Sequence, residues 1–370
     1  MFEFVAPCLF GLEGPVSFEL KEMGAQNVLA ENGRVRFSGG ADILARANIR
    51  SAFAERIEIV VGQAPAATFT QLFDAVNAME WEKYIAKNDA FPVKGWSINS
   101  ALHSIPDCQK IIKKAIVERL RAKHKTNYLN ETGPQINVRF SILKDQATLM
   151  IDTSGDGLHK RGYRRNSNEA PIKETLAAAM CHLTRLYPDT QLYDPFCGSG
   201  TILIEAALQA ANIAPGIHRR FAAEAYPFIP KHIWRSEREA ARAAENTDIE
   251  FRAFGFDIDP AAVELTIQNA KLAGVESLVS AAVADIADFK LPDGRATIIT
   301  NPPYGERLGD ESQAADIYRT MGKVFPSEVG KRYGIITPQE DFVELFGRKA
   351  DKVRKLYNGM IKCNYNMYFR

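Results

Sequence analysis

The spacing of apolar and polar positions along this chain changes near residue 165, and the change separates two kinds of structure. Before it, the two-residue alternation of strands mixes with the three-to-four spacing of helices. After it, short apolar runs alternate with helical stretches. Phe2–Cys8 reads as a strand and Gly11–Met23 as a helix with Leu12, Val16, Leu20 and Met23 on one face. Val28–Ala30 and Arg34–Phe37 form a predicted hairpin around Asn32-Gly33, the favoured type I′ pair. A helix at about 41–49 and a strand at Arg56–Val61 complete a ferredoxin-like α+β set over residues 1–61, expected to be a scaffold without chemistry of its own.

Residues 62–165 read as a second α+β unit. Phe69–Asn77 is a helix, Trp96–Ser100 a strand and Asp107–Lys123 a longer helix; the strands Ile136–Leu143 and Ala147–Thr153 join at Lys144-Asp145. Residues 166–370 then read as an alternating βα domain. A helix over Ala170–Leu186, with Pro171 in its first turn, precedes a strand ending at Asp194. Polar helical sequence and an aromatic-rich loop (Phe221, Tyr226, Phe228, Trp234) interrupt the alternation over about 211–250. It resumes with the strand Ala253–Asp257 and the helix Pro260–Ala273, then strands at Val279–Ala284, Ala296–Thr300 and Arg332–Thr337. Such alternation implies a parallel sheet covered on both faces. The last two strands, around Val353–Tyr357 and Ile361–Phe369, are joined by Asn358-Gly359 and must pair antiparallel.

Composition narrows the class. At 370 residues, two or three domains are expected. An apolar content of 46% supplies ample core, and a net charge of +1 announces no global field for nucleic acid. Five scattered cysteines contain no C-x-x-C pair, so neither a disulfide framework nor a metal site is expected. Glu3 and Glu13 flank the N-terminal apolar run, no basic segment precedes it, and no run is long enough to span a bilayer. A reducing cytoplasm is the expected compartment.

Local charge changes the picture. The helix at Asp107–Lys123 carries Lys110, Lys113, Lys114, Arg119 and Arg121 opposite an apolar face, and His159-Lys160-Arg161-Gly162-Tyr163-Arg164-Arg165 forms a second basic cluster on a loop. Either could be an ordinary solvated face; together, one with an interleaved Tyr, they point to phosphate-backbone contact. The candidate phosphate-backbone contacts are Lys110, Lys113, Lys114, Arg121, Lys160, Arg161, Arg164 and Arg165.

The candidate chemistry begins at Asp194-Pro195-Phe196-Cys197-Gly198-Ser199-Gly200-Thr201, a strand, a glycine turn and a helix N-terminus. A phosphate loop would need Gly-Lys-Ser/Thr, which is absent, and a dinucleotide fingerprint would need a third glycine where the chain has Leu203. Acids follow two later strands, Asp257 in Gly255-Phe256-Asp257-Ile258 and Asp285 in Ala284-Asp285-Ile286. The first can accept ribose hydroxyls and the second the adenine amine, with Ile258 and Ile286 against the ring. Two such acids without a pyrophosphate loop fit S-adenosylmethionine. Cys197 is read as a small thiol filling the turn. After the fourth strand, Asn301-Pro302-Pro303-Tyr304 offers acceptors for both hydrogens of an exocyclic amine, with Tyr304 expected to stack on the base. An ordinary Pro-Pro loop is the competing reading.

As a set, these motifs resemble those of the THUMP-domain class I RNA methyltransferases. They are Asp194–Thr201, Leu158-His159-Lys160-Arg161-Gly162-Tyr163-Arg164, Ala170-Pro171-Ile172-Lys173-Glu174-Thr175-Leu176 and Asn301-Pro302-Pro303-Tyr304-Gly305-Glu306-Arg307-Leu308. The resemblance is strongest to the bacterial 23S rRNA guanine-N2 branch. It implies a ferredoxin-like unit, a THUMP RNA-binding domain over 62–165, and a Rossmann-like methyltransferase domain over 166–370 with a seven-stranded sheet and an antiparallel last hairpin. It also implies that Asp194, Phe196, Gly198 and Gly200, with Cys197 and Thr201 of the same turn, line the methionine part of the cofactor. Asp257 would hold the ribose and Asp285 the adenine, with Ile258 and Ile286 on the ring faces and Pro171 beside the cofactor. Asn301, Pro302, Pro303 and Tyr304 would hold the target base, while Arg307 would be an RNA contact or a structural pair. Some members carry a second methyltransferase domain downstream; the sequence ends at Arg370, so that second activity is not implied. The implied partner is 23S rRNA or a large-subunit assembly intermediate, acted on by a monomer. A tRNA guanine-N2 enzyme, an adenine-N6 methyltransferase and a non-catalytic RNA-binding assembly factor remain as alternatives.

Overall fold

The computed structural model describes residues 1–164, 172–186, 189, 191–291, 293–304 and 311–369. Arg165, Pro171 and Arg307 lie outside the described residues.

The first half contains β1 (Phe2–Pro7), α1 (Glu13–Glu22), β2 (Gln26–Glu31), β3 (Arg34–Gly39), α2 (Ala41–Arg50) and β4 (Glu58–Pro65). After these come α3 (Phe69–Ala78), β5 (Val93–Ile98), α4 (Ile105–His124), β6 (Val138–Leu143) and β7 (Gln146–Asp152). All seven strands form one sheet in the order β2-β3-β1-β4-β7-β6-β5. β4 pairs with β1 on one side and β7 on the other, so a strand, not a linker, joins the two N-terminal units. The expected break between residues 61 and 62 falls inside it. Alternation decides the faces: Phe4, Val35, Phe37, Ile59, Phe140, Leu149 and Ile151 are buried under the helices.

One turn expectation differs from the structure. Only Gly33 of the Asn32-Gly33 pair has positive φ (+72°), and its N–H donates to Glu13 Oε1 at 2.9 Å. The pair is therefore not type I′, because the α1 carboxylate holds the turn. The Lys144-Asp145 connection, with φ of +51° and +60°, has the positive values that type I′ requires.

The second half contains α5 (Glu174–Thr184), β8 (Gln191–Asp194), α6 (Thr201–Ala210), α7 (Lys231–Ala243), β9 (Arg252–Asp257), α8 (Pro260–Ala273) and β10 (Val279–Val283). It continues with β11 (Ala296–Thr300), α9 (Glu311–Val324), β12 (Lys331–Thr337), α10 (Phe342–Phe346), β13 (Lys352–Asn358) and β14 (Ile361–Phe369). Its sheet order is β10-β9-β8-β11-β12-β14-β13. The first five strands are parallel, and β14 runs antiparallel between β12 and β13. Helix α5 starts later than expected. Lys173 is extended at its N-cap, with Nζ 2.9 Å from Glu55 Oε2, and the Ile172 carbonyl accepts from Arg164. Those bonds hold Ile172 and Lys173 ahead of the first turn of α5, while Pro171, expected in that turn, lies outside the described residues.

The 211–250 interruption fastens the halves together. Phe221, Tyr226 and Trp234 are buried, and Phe221 stacks on Trp234 at 5.3 Å. Tyr226 Oη donates to the Asp152 carbonyl at 2.6 Å, and Arg46 makes a two-pronged bond to Glu237 of α7, both arms 2.8 Å. Deeper in, Arg161 is sealed between Glu205 of α6 and the Ala52 and Leu158 carbonyls, and Tyr163 Oη donates to Glu205 Oε1 at 3.0 Å. This corrects the reading of Arg161 as an RNA contact: its side chain is 2% exposed and neutralises a buried carboxylate. Arg164 is also engaged, by Glu174 at 3.1 Å.

Removing one partner of a buried ion pair leaves the other charge uncompensated. Arg161→Ala should therefore lower stability by about 3–5 kcal/mol, read as a lower urea midpoint. An unchanged midpoint would show that Glu205 does not depend on Arg161.

Candidate functional site

In an open parallel sheet, ligands gather at the carboxyl ends of the strands, where the strand order reverses. Here the reversal lies between β8 and β11, and a cavity of 690 Å³ opens over it. Its wall includes Asp194, Phe196, Cys197, Gly198 and Thr201 from the glycine turn, with Asp257, Ile258, Asp285 and Ile286 from the next two strand ends. Asn301 and Pro303 close the other side.

The glycine turn holds its shape for local reasons. Gly198 and Gly200 have φ of +53° and +78°, in the left-handed region. Nothing lies within 4 Å of where a Cβ at Gly198 would stand, whereas one at Gly200 would meet Thr266 Cγ2 at 2.7 Å. The Gly198 N–H donates to Asp257 Oδ2 at 2.9 Å, so the acid of β9 braces the turn of β8. Gly255 takes the place of the missing third glycine: a Cβ there would meet Leu203 Cδ1 at 2.6 Å. Close helix–strand packing is thus achieved from the strand side, which the linear motif could not reveal.

Asp194 is 1% exposed, and its Oδ1 accepts from Thr300 Oγ1 at 2.7 Å and from the Phe196 N–H at 3.1 Å. Burial pushes its carboxyl up to about 7 despite those bonds. Burial also raises the Cys197 thiol far above its ordinary value, which leaves it unsuited to nucleophilic attack. Asp285 Oδ1 accepts from the Ala287 N–H at 2.8 Å, an N-cap bond that fixes the carboxylate at the cavity edge. Ile258 is 69% exposed on the rim, while Ile286 is buried beneath.

The Asn301 loop is the other half of the site. Asn301 Oδ1 is buried without a hydrogen-bond partner among the described residues. Such an acceptor costs free energy unless a ligand satisfies it. Pro302 is buried, and Pro303 lines the cavity. Tyr304 is placed differently from the expectation. Its ring is 7% exposed, its hydroxyl accepts from Asn358 Nδ2 at 2.8 Å, and it is not among the residues lining the cavity. The bond to the closing hairpin draws it away from a stacking position. Asp316, Ile317 and Thr320 of α9 also line the cavity; no strong pattern in the sequence marks that helix.

The basic helix is only partly available. Lys110 and Lys114 are exposed with weak local pairs, and Arg121 is exposed. Lys113 is committed to Glu131 at 2.6 Å and lies 3.5 Å from the centroid of the Phe91 ring. Among the described residues, no group of three His, Cys, Asp or Glu side chains could hold a metal ion, and no helix is long and apolar enough to cross a membrane.

This strand order, with an acidic cavity at the switch point and an open glycine turn, defines a class I methyltransferase, whose cofactor is S-adenosylmethionine. Family models match residues 3–58 as an RlmL ferredoxin-like domain, 66–152 as a THUMP domain and 161–367 as an RMKL-like methyltransferase domain. The chain belongs to this RMKL-like methyltransferase family. It is 43% identical over 371 residues to YpsC of Bacillus subtilis (strain 168), named as a candidate RNA methyltransferase, covering 100% of this chain and 96% of that one. It is 32% identical over 376 residues to the ribosomal RNA large subunit methyltransferase K/L of Shewanella frigidimarina, covering 100% of this chain but only 53% of that one. The chain thus spans about half the length of that relative. Two solved structures superpose with a TM-score of 0.94. One is a Listeria monocytogenes protein assigned by prediction as an N6-adenine-specific DNA methylase, 44% identical over 100% of this chain and 96% of that one. The other is the candidate methyltransferase SMU.472 complexed with SAH, 42% identical over 100% and 98%.

The raised Asp194 carboxyl gives a signed prediction. Its contribution to stability is full below the ordinary carboxylate range of about 4 and is lost as pH rises through about 7. A cationic ligand favours the ionised form, so S-adenosylmethionine should bind more weakly as pH falls below 7 and should release a proton there. Calorimetry in buffers of different ionisation enthalpy reads that proton; Asp194→Asn should abolish the release.

Proposed function

We propose that this protein transfers the methyl group of S-adenosylmethionine to the exocyclic N2 amine of a guanosine in 23S rRNA. The observation that carries the reading is the unpartnered Asn301 Oδ1 beside the cavity that would take the cofactor. An exocyclic amine is a weak nucleophile because its lone pair is delocalised into the ring. Accepting its two hydrogens at Asn301 Oδ1 and at the Pro302 carbonyl lets the nitrogen pyramidalise toward attack.

The bound cofactor supplies an electrophilic methyl group on a sulfonium. The protein's own residues do the rest. Asp257 and Asp285 would hold the ribose and the adenine, their anchored carboxylates keeping acceptor capacity in reserve. Phe196 and the open face of Gly198 would lie along the methionine portion. The Asn301 loop positions the amine for in-line transfer, so orientation supplies most of the rate and no covalent intermediate is needed. The exposed Lys110, Lys114 and Arg121 of α4 would meet the RNA backbone.

The choice of ribosomal RNA rests on the name carried by the K/L relatives, and guanine N2 on the motif resemblance. An amine acceptor does not itself name the base, so adenine N6 is the second reading, and a tRNA guanine is the third. Asn301→Ala should lower kcat by about 10²–10³-fold while leaving S-adenosylmethionine affinity intact; retained turnover would sink the assignment. Nucleoside mass spectrometry of rRNA and tRNA from a deletion strain should show loss of N2-methylguanosine from 23S rRNA. Loss of N6-methyladenosine, or loss confined to tRNA, would select a different reading, and no loss at all would favour a non-catalytic factor.

A further inference from the structure

A second cavity, of 860 Å³, lies between the 154–164 segment and residues 219–222 of the interruption. Four permanent cations line it, Lys160, Arg164, Arg219 and Arg220, against two carboxylates, Asp156 and Glu174. Both carboxylates are already engaged: Glu174 by Arg164 at 3.1 Å, and Asp156 by Lys160 at 3.2 Å. Among the described residues, Arg219 bonds only to main-chain carbonyls, those of Asp156, Gly157 and Lys160, at 2.7–2.9 Å, and it packs over the Phe221 ring at 5.1 Å. It clamps the basic loop onto the interruption without being neutralised. Burial, with Arg161 and Arg56 nearby, pulls its guanidinium down to about 10 against the opposing pull of Asp156 and Asp152. Lys160 and Arg220 are exposed, and Arg220 has no ion-pair partner among the described residues.

This cavity adjoins the reaction site. Arg164 Nη1 donates to the Ile172 carbonyl at 3.0 Å and to Thr201 Oγ1 at 3.3 Å, and Ile172 and Thr201 both line the cofactor cavity. One side chain of this cavity's wall therefore holds two residues that line the other. We propose that the cavity is a phosphate site for the substrate RNA, in which Lys160 and Arg220 grip the backbone near the target nucleotide while Arg219 and Arg164 hold the floor. The interruption thereby completes an RNA-binding surface that the basic loop cannot form alone. This rests on the reading of RNA as substrate.

The test is steady-state methylation of protein-free 23S rRNA by wild type and by the double variant Lys160→Ala/Arg220→Ala over a range of KCl concentrations. The variant should raise the KM for RNA about ten-fold. The slope of log affinity against log salt should become shallower by about 0.7 for each phosphate no longer neutralised, as for single strands. Cofactor affinity and the melting temperature should stay at wild-type values, since both side chains are exposed. The single variant Arg220→Lys, with Lys160 intact, should retain most of the wild-type affinity. An unchanged KM and salt slope, with wild type active on RNA, would overturn the site alone. A wild type that neither binds nor methylates any RNA would overturn the RNA reading and this site together.

Discussion

The Oδ1 atom of Asp194 accepts from the Thr300 hydroxyl at 2.7 Å and from the Phe196 N–H at 3.1 Å, so one buried carboxylate joins the end of β8 to the end of β11. The glycine turn grows from the first strand and the Asn301 loop from the second. On the proposed function, their separation is the distance over which the methyl group would pass, and orientation is worth most when that distance is rigid. Burial in a low-dielectric floor makes the bond strong and the carboxyl reluctant to ionise. The Gly198 N–H held by Asp257 extends the same bracing to β9.

Around this centre the chain uses its buried and half-buried charges to join parts rather than to do chemistry. Arg161 with Glu205, Arg46 with Glu237, and Glu55 with Lys173 each tie the N-terminal half to the catalytic half. Burial opposes ionisation of Glu55, yet bonds from His159, Thr175 and Lys173 hold its carboxyl down at about 2. Such pairs are weak evidence for stability, since desolvation offsets much of their attraction. They do fix geometry: a misplaced N-terminal half would strand a charge. The basic loop and the cofactor cavity are held in register by the same set.

Much of the site is legible in the sequence because its signals are local. A glycine that must take positive φ, an acid that ends a strand and a Pro-Pro loop all announce themselves within a few residues, as Gly198, Asp257 and Asn301 do. Sequence reasoning fails where a distant partner decides. Arg161 and Lys160 are adjacent in sequence and alike in charge; Glu205 buries one and leaves the other in solvent. Tyr304 carries a ring suited to stacking, but Asn358 on the closing hairpin holds its hydroxyl. Asp316, Ile317 and Thr320 have no marking pattern, because a cavity wall needs only to be near.

What the sequence determined by itself was most of the order of strands and helices, the apolar faces, and a set of candidate residues for an adenosine ligand and an amine. These depend on periodicity and backbone conformation, which act over one or two turns of chain. The tertiary structure alone decided that the two N-terminal units share a sheet, that Gly255 supplies the clearance absent at Leu203, and which of the basic residues remain free to meet an anion. Those outcomes depend on burial and pairing between residues tens to hundreds of positions apart. A linear pattern records the type of a side chain but not the partner that neutralises it.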